Sequence, residues 1–220
     1  MFTLQHEIEP TFSRDEMPNI RRTLAELNVP FDTGDVDNLD KHSELSPTLL
    51  EIFLDAQSAS KLLNNRQYTQ QIDLYLYQEL IVSIFYRLLA IPFHQDTTLP
   101  PTIEDAYHVG LSLFMMSLFL QHGRNRILQF RNVTARLRMV LNSHSLDREP
   151  HLRFWLLMMD GVWVGDDDDT EWLPPMVRAQ ARKLGLHNWK AARKSIAEYP
   201  WIGELHDRSG RTLWQKANSF

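Results

Sequence analysis

The chain contains no cysteine among its 220 residues. This absence excludes disulfide bridges, thiolate-bound zinc or iron–sulfur sites, and cysteine nucleophiles. A membrane-length apolar run is also missing, since the most apolar stretch, residues 74–93, is interrupted by Gln78, Glu79 and Arg87. The N-terminus has no basic region followed by an apolar one, so a secretory signal is not indicated and an intracellular location is expected.

The overall composition is that of an ordinary globular protein. Hydrophobic residues make up 43% and charged residues 23% of the chain, and its length suits one large or two small domains. The net charge of −5 provides no general attraction to nucleic acid, which basic domains bind by releasing counterions. Any contact with nucleic acid would therefore be local.

Charge is unevenly distributed along the chain. Residues 1–46 hold ten acidic and four basic side chains, with weak helical periodicity and turn residues at 32–35. We interpret residues 1–45 as an acidic, partly irregular N-terminal arm, and residues 46–220 as a helical domain. The arm is interpreted as a solvated tail, with an activation-type interaction segment as the alternative.

From residue 46 onward the apolar residues recur at helical spacing. Strand-like alternation and the turn signals of β-hairpins are missing, so we predict an all-α fold, an irregular bundle of roughly eight helices. The first predicted helix starts at Ser46-Pro47 and ends at Asn64. The others run from Thr69 to Pro92, Thr102 to Gly123, Ile127 to Leu141, His151 to Val164, Met176 to Leu184 and Asn188 to Glu198, and a last helix lies around Leu213-Trp214. The segment 154–164 is apolar on nearly all sides, which predicts a helix buried within the bundle.

Two groups of basic residues and the six tryptophans could serve binding. The arginines of the fourth segment are predicted to form a basic surface, and they are Arg124, Arg126, Arg131, Arg136 and Arg138. Residues 172–220 hold nine basic and three acidic residues; we interpret the bases as exposed helix faces, with nuclear import or phosphate contact as the alternatives. The tryptophans are assigned to core packing, with a ligand pocket as the alternative.

The strongest candidates for chemistry are an acidic run and the histidines. Asp166 to Asp169 with Glu171 resemble the aspartate-rich magnesium site of terpene synthases, because such carboxylates can bridge Mg²⁺ to a diphosphate. A second metal motif is lacking, since Ala192 and Ile196 follow Asn188 where Ser and Glu are needed. The favoured interpretation of the run is a solvated loop.

The histidines show no ligand spacing, and His206-Asp207 alone is too short a motif to define a metal site. Nucleotide-binding and acyl-transfer motifs are also missing. We therefore predict no catalytic, cofactor-binding or metal-binding residues, no cofactor, and a protein that is not an enzyme. The alternative is a magnesium-dependent all-α enzyme that uses the Asp166-Glu171 segment, with Asp167, Asp168 and Glu171 as the metal ligands.

The order of motifs in residues 46–218 resembles a known family. The motifs are Glu104 to Leu120, Gly123 to Arg126, Phe154 to Val164, Glu171-Trp-Leu, Ala181 to Trp189, Tyr199-Pro-Trp-Ile202 and Leu213-Trp214. They are similar to those of the C-terminal regulatory domain, or fungal-specific transcription factor domain, of fungal binuclear zinc-cluster transcription factors. The resemblance is greatest from residue 104 onward.

This resemblance implies an all-helical regulatory domain that works in the nucleus. The zinc-ligating cysteines of the family are absent from this chain, so we expect no direct sequence-specific DNA binding from this chain alone. The expected function is non-enzymatic modulation of gene expression through a protein partner, either the transcription machinery or a DNA-binding factor, or through a small-molecule effector. The alternatives are a truncated longer factor, a free-standing regulator, or a remnant without activity; no membrane partner is expected.

Overall fold

The computed structural model describes residues 16–31, 44–91, 100–120, 131–164 and 171–219. These ranges contain ten α-helices and one 3-10 helix, His144–Arg148, and within them there is no β-strand. The prediction of an irregular all-α bundle is confirmed. In chain order the α-helices are α1 (Met17–Glu26), α2 (Pro47–Asn64), α3 (Arg66–Thr69), α4 (Leu74–Leu89), α5 (Ile103–Leu120), α6 (Arg131–Leu141), α7 (Pro150–Val164), α8 (Leu173–Lys183), α9 (Trp189–Ile196) and α10 (Gly203–Asn218).

Helix α7 lies at the centre of the bundle. Its residues 154–159 have no exposed surface, and α5, α6, α8, α9 and α10 pack around it. The prediction that this apolar segment forms a buried helix is confirmed. Gly110 lets α5 approach α7 closely, because a methyl group at that position would lie 2.7 Å from Cη2 of Trp155.

Side chains that cap helix N-termini define several helix boundaries. Thr102 and Asp105 exchange hydrogen bonds before α5: the Asp105 amide donates to Thr102 Oγ1 at 3.2 Å, and the Thr102 amide donates to Asp105 Oδ2 at 2.8 Å. Asn188 accepts from the Ala191 amide at 2.9 Å and starts α9. Both helices begin where their capping residues predict.

The prediction that one helix begins at Thr69 and runs to Pro92 is wrong at its start. The chain forms the short helix α3, which ends at Thr69, and α4 begins only at Leu74. Asp73 adopts an extended conformation and its carboxylate accepts from the Leu76 amide at 2.7 Å. This cap starts a new helix, whereas the apolar spacing alone suggested continuity.

Helix α1 lies within the segment that we interpreted as an acidic arm, and the sequence analysis did not predict it. Its Met17, Ile20 and Leu24 are buried and belong to the same hydrophobic core as the rest of the bundle. Only three of its ten residues are buried and they form a narrow stripe, so the surrounding polar residues concealed the helix.

Several sequence predictions concern residues outside the described ranges. They include the acidic run Asp166 to Asp169, Arg124 and Arg126, and the predicted ends at Pro92 and Gly123. Among the helices that are described, none is long and apolar enough to cross a membrane.

Candidate interaction surface

Side-chain contacts join helices α9 and α10 in antiparallel order near the C-terminus. The guanidinium of Arg211 lies 5.9 Å from the Trp189 ring centroid, and Arg193 Nε donates to Asp207 Oδ1 at 2.8 Å. Moving four residues forward along α9 therefore means moving four residues back along α10. Gly210 permits this pairing, because a Cβ atom there would lie 3.0 Å from the ring of Trp189.

The pairing brings basic side chains from both helices to one outer face. Successive residues are about 100° apart around an α-helix. Lys190, Lys194 and Arg208 each lie one position after a residue that joins the two helices. Those residues are Trp189, Arg193 and Asp207. In an antiparallel pair, residues displaced in this way lie on the same side of both helices. Arg211 borders that side, and all four bases are exposed. We refer to Lys190, Lys194, Arg208 and Arg211 as the basic face.

Within the part of the chain that the structure describes, no ion pair neutralises the basic face. Among the described residues, no acid forms an ion pair with Lys190, Lys194 or Arg208. The acidic groups on α10 are already engaged, since Asp207 binds Arg193 and Glu204 lies 3.4 Å from Arg66. Anionic groups can therefore approach these three bases without displacing an acidic partner among the described residues.

The exposure of the bases in the C-terminal region agrees with the favoured interpretation that they lie on exposed helix faces. Seven of the nine bases in residues 172–219 are exposed, and only Arg178 and Arg193 are half-buried. Amphipathic spacing indicated this exposure. It did not show that four of the bases share one side, because that arrangement depends on how side-chain contacts place α9 beside α10.

The prediction that the arginines of the fourth segment form a basic surface is wrong for Arg136. Its side chain is 12% exposed, and its Nη2 donates to Asp105 Oδ1 at 2.5 Å. Burial alone would raise the pKa of Asp105, but the hydrogen bonds from Thr102 and the charge of Arg136 outweigh it and hold that pKa below its usual value. Arg138 is exposed and lies over Trp172 at 5.7 Å.

The pair most similar to a catalytic site is Ser117 and His206, which are 2.9 Å apart between α5 and α10. The Ile202 amide donates to His206 Nδ1, so Nε2 carries the proton and donates to Ser117 Oγ. The serine hydroxyl in turn donates to the Phe114 carbonyl oxygen at 2.6 Å. Burial lowers the pKa of His206 to about 3. The imidazole therefore cannot accept the serine proton as a general base, and the pair links two helices instead.

The other histidines also make separate contacts. His108 Nε2 lies 3.2 Å from the Leu88 carbonyl oxygen, and His151 Nδ1 lies 2.9 Å from Ser195 Oγ. His206 and its neighbour Asp207 bind different partners, so that dipeptide does not act as a unit. Within the described ranges, no three His, Asp or Glu side chains are placed to hold a metal ion. Glu171 is exposed, and the acidic residues before it lie outside those ranges.

The tryptophans mainly serve the core, as the sequence analysis favoured. Trp155, Trp163, Trp201 and Trp214 are buried. Trp172 and Trp189 are half-buried, and each lies beneath an arginine side chain. Trp189 therefore adds a partly accessible aromatic ring beside the basic face.

Comparison of the chain with known protein families, with curated proteins and with solved structures finds no match.

Proposed function

We propose that this chain is a non-enzymatic regulatory domain of transcription that binds an acidic segment of a partner protein through the basic face. The observation that carries the binding proposal is the placement of four exposed bases on one side of the α9–α10 pair, three of them without an acidic partner among the described residues. The role in transcription rests on the resemblance of the motif order to the regulatory domain of zinc-cluster factors.

A protein segment suits this face better than a nucleic acid. The chain as a whole carries a net charge of −5, so a long polyanion would be repelled by the rest of the molecule. A short acidic peptide can contact the basic face alone, and an aromatic or aliphatic side chain within it can pack against half-buried Trp189. Charge complementarity of this kind increases the association rate and selects the partner.

The binding proposal is tested with charge-reversed variants. The double variant Lys190→Glu/Arg208→Glu is compared with Arg182→Glu/Lys183→Glu, which changes two exposed charges on α8 by the same amount. Fluorescence anisotropy with a labelled peptide rich in Asp, Glu and Leu should show at least a tenfold loss of affinity for the first variant. The control should stay within about twofold of the wild type.

Two outcomes would contradict the binding proposal. Equal loss in both variants would show that only net charge matters, and tighter binding of a DNA duplex than of the peptide at the same salt concentration would assign the face to nucleic acid. The role in transcription is tested separately in cells. We expect nuclear accumulation and an altered transcript profile on deletion; a cytosolic protein whose deletion changes no transcript would refute that role.

A further inference from the structure

The connection between α2 and α4 carries a threonine with an arginine three residues before it. Among the serines and threonines of the chain, only Thr69 and Thr134 follow an arginine at this spacing. A large class of Ser/Thr kinases selects such an arginine, because acidic groups in the substrate groove of the kinase pair with the guanidinium. The spacing therefore makes Thr69 and Thr134 the two candidate acceptors of a phosphoryl group.

Exposure and local structure favour Thr69 over Thr134. Thr69 ends the four-residue helix α3, in which Arg66 and Thr69 are exposed, Tyr68 is half-buried and no residue is fully buried. A helix of one turn is unstable by itself, and an exposed segment with few buried contacts opens at low cost, so it can enter a kinase groove as an extended chain. Opening the 11-residue helix α6 at Thr134 would instead expose the buried Val133.

The Thr69 hydroxyl lies at the end of α2. Its Oγ1 is 3.2 Å from the Leu62 carbonyl oxygen and 2.9 Å from the Asn65 carbonyl oxygen, and it donates to these groups, which the C-terminus of a helix leaves without a backbone partner. The same end of α2 is joined to the segment before α10, because Asn64 Nδ2 donates to the Trp201 carbonyl oxygen at 2.7 Å. A change at Thr69 therefore acts where α2 meets the C-terminal helices.

From these observations we propose that Thr69 is a phosphorylation site for a Ser/Thr kinase that recognises Arg66. Thr69 Oγ1 attacks the γ-phosphorus of ATP, and the bond between that phosphorus and the bridging oxygen of the leaving ADP breaks. The hydroxyl proton passes to the catalytic aspartate of the kinase. The products are phosphothreonine and ADP. This site is independent of the basic face.

The phosphate changes the contacts of this connection. It takes the hydroxyl hydrogen away from Leu62 and Asn65, and it places a charge of about −1.5 to −2 at the C-terminus of α2, where the helix dipole disfavours an anion. Arg66 is 89% exposed and lies 3.4 Å from Glu204, the only acid that it contacts among the described residues. The guanidinium can exchange this exposed carboxylate for the phosphate, which is the stronger partner. Phosphorylation therefore separates Arg66 from Glu204 at the start of α10.

The test uses the folded full chain with ATP, Mg²⁺ and the catalytic domain of a calmodulin-dependent protein kinase, which selects arginine at this position. We expect one phosphate per chain, which tandem mass spectrometry should locate at Thr69. Arg66→Gln should lower the initial rate at least tenfold, whereas Arg182→Gln, a matched change at an exposed arginine of α8, should stay within about twofold of the wild type. Thr69→Val should abolish the incorporation and Thr69→Ser should retain it.

A peptide of residues 61–73 separates the local sequence from its place in the fold. Phosphorylation of the peptide but not of the folded chain would show that the connection is closed to the kinase and would overturn the proposal. Equal rates for Arg66→Gln and the wild type, or incorporation at Thr134 in preference to Thr69, would also contradict it. The chain isolated from its own cells should carry phosphothreonine at position 69, and its absence in every growth condition sampled would refute the site.

Discussion

The buried histidine His206 should make the folded protein sensitive to mild acid. Its ring lies between Phe114 and Trp201, at centroid distances of 5.8 and 5.0 Å, and burial lowers its pKa to about 3 from an ordinary value of 6.5. The unfolded chain therefore binds a proton below about pH 6.5, whereas the folded chain remains neutral at this position until about pH 3. The stabilisation that results from this pKa difference is fully present above the unfolded-state pKa of 6.5. It is lost progressively as the pH falls from 6.5 to about 3.

The expected magnitude follows from proton linkage. With the unfolded pKa at 6.5 and the folded pKa near 3, the free energy of unfolding should fall by about 2 kcal/mol between pH 7 and pH 5 because of His206 alone. This figure changes little for any folded pKa below about 4, since the folded ring is then neutral throughout the range. A loss of about 2 kcal/mol is a large fraction of the stability of a typical domain.

The measurement is urea unfolding at both pH values, for the wild type and for His206→Gln. Glutamine is neutral, and its amide can replace part of the ring's hydrogen bonding with Ser117 and Ile202. The variant should be less stable at pH 7 by about 1–3 kcal/mol, because packing and hydrogen bonds are lost. Its decrease in stability between pH 7 and pH 5 should be smaller than that of the wild type by about 2 kcal/mol. Equal decreases in the two proteins would refute the assignment of His206 as a buried neutral group.

Three further predictions concern buried positions. Gly110→Ala should lower the free energy of unfolding by about 1–3 kcal/mol, because the added methyl group overlaps the Trp155 ring. Asp55→Asn should cost about 3–5 kcal/mol in urea unfolding, since it removes the charge that two arginines share, whereas Glu51→Gln at a 54% exposed position should stay within about 1 kcal/mol. The lowered pKa of Asp105 should stabilise the folded chain fully above the ordinary pKa of 3.8, and this stabilisation should be lost as the pH falls below 3.8. In Asp105→Asn, the free energy of unfolding should therefore depend less on pH below 3.8 than it does in the wild type.

Each of these three has a clear contrary result. A Gly110→Ala protein of wild-type stability would mean that α5 and α7 are farther apart than the structure places them. Similar losses for Asp55→Asn and Glu51→Gln would argue against the burial of Asp55 between Arg21 and Arg87. An unchanged acid-unfolding curve for Asp105→Asn would argue against the pairing of Asp105 with Arg136.

Much of the helical architecture could be predicted from local signals in the sequence. The Thr102–Asp105 capping pair and the Asn188 cap act within three residues, and Gly185 adopts a positive φ of 66° just after α8, as its position in the sequence suggested. The all-round apolar pattern of 154–164 likewise required a buried helix. These features were accessible because helix geometry relates residues that are close together along the chain.

Local signals in the sequence predicted helix boundaries wrongly, or missed a helix, where they were weak or in competition. Apolar spacing continued through residues 69–74, while the Asp73 side chain favoured a new helix start there. Helix α1 packs on α4 and is joined to α2 by the bonds of Arg21, whereas its own sequence is polar and short. Its existence therefore depends on tertiary packing more than on helix propensity.

The sequence by itself determined that the chain is helical, that its C-terminal region is basic and that most of those bases face solvent. Only the tertiary structure decided which acidic and basic side chains form ion pairs. Arg136 and Asp105 are 31 residues apart, Arg21 and Asp55 are 34 apart, and neither pairing has a local signature. The basic face likewise exists because Trp189 and Arg193 pair with Arg211 and Asp207 in antiparallel register. The period of a helix shows which of its residues share a side, but it does not specify which helix packs against that side.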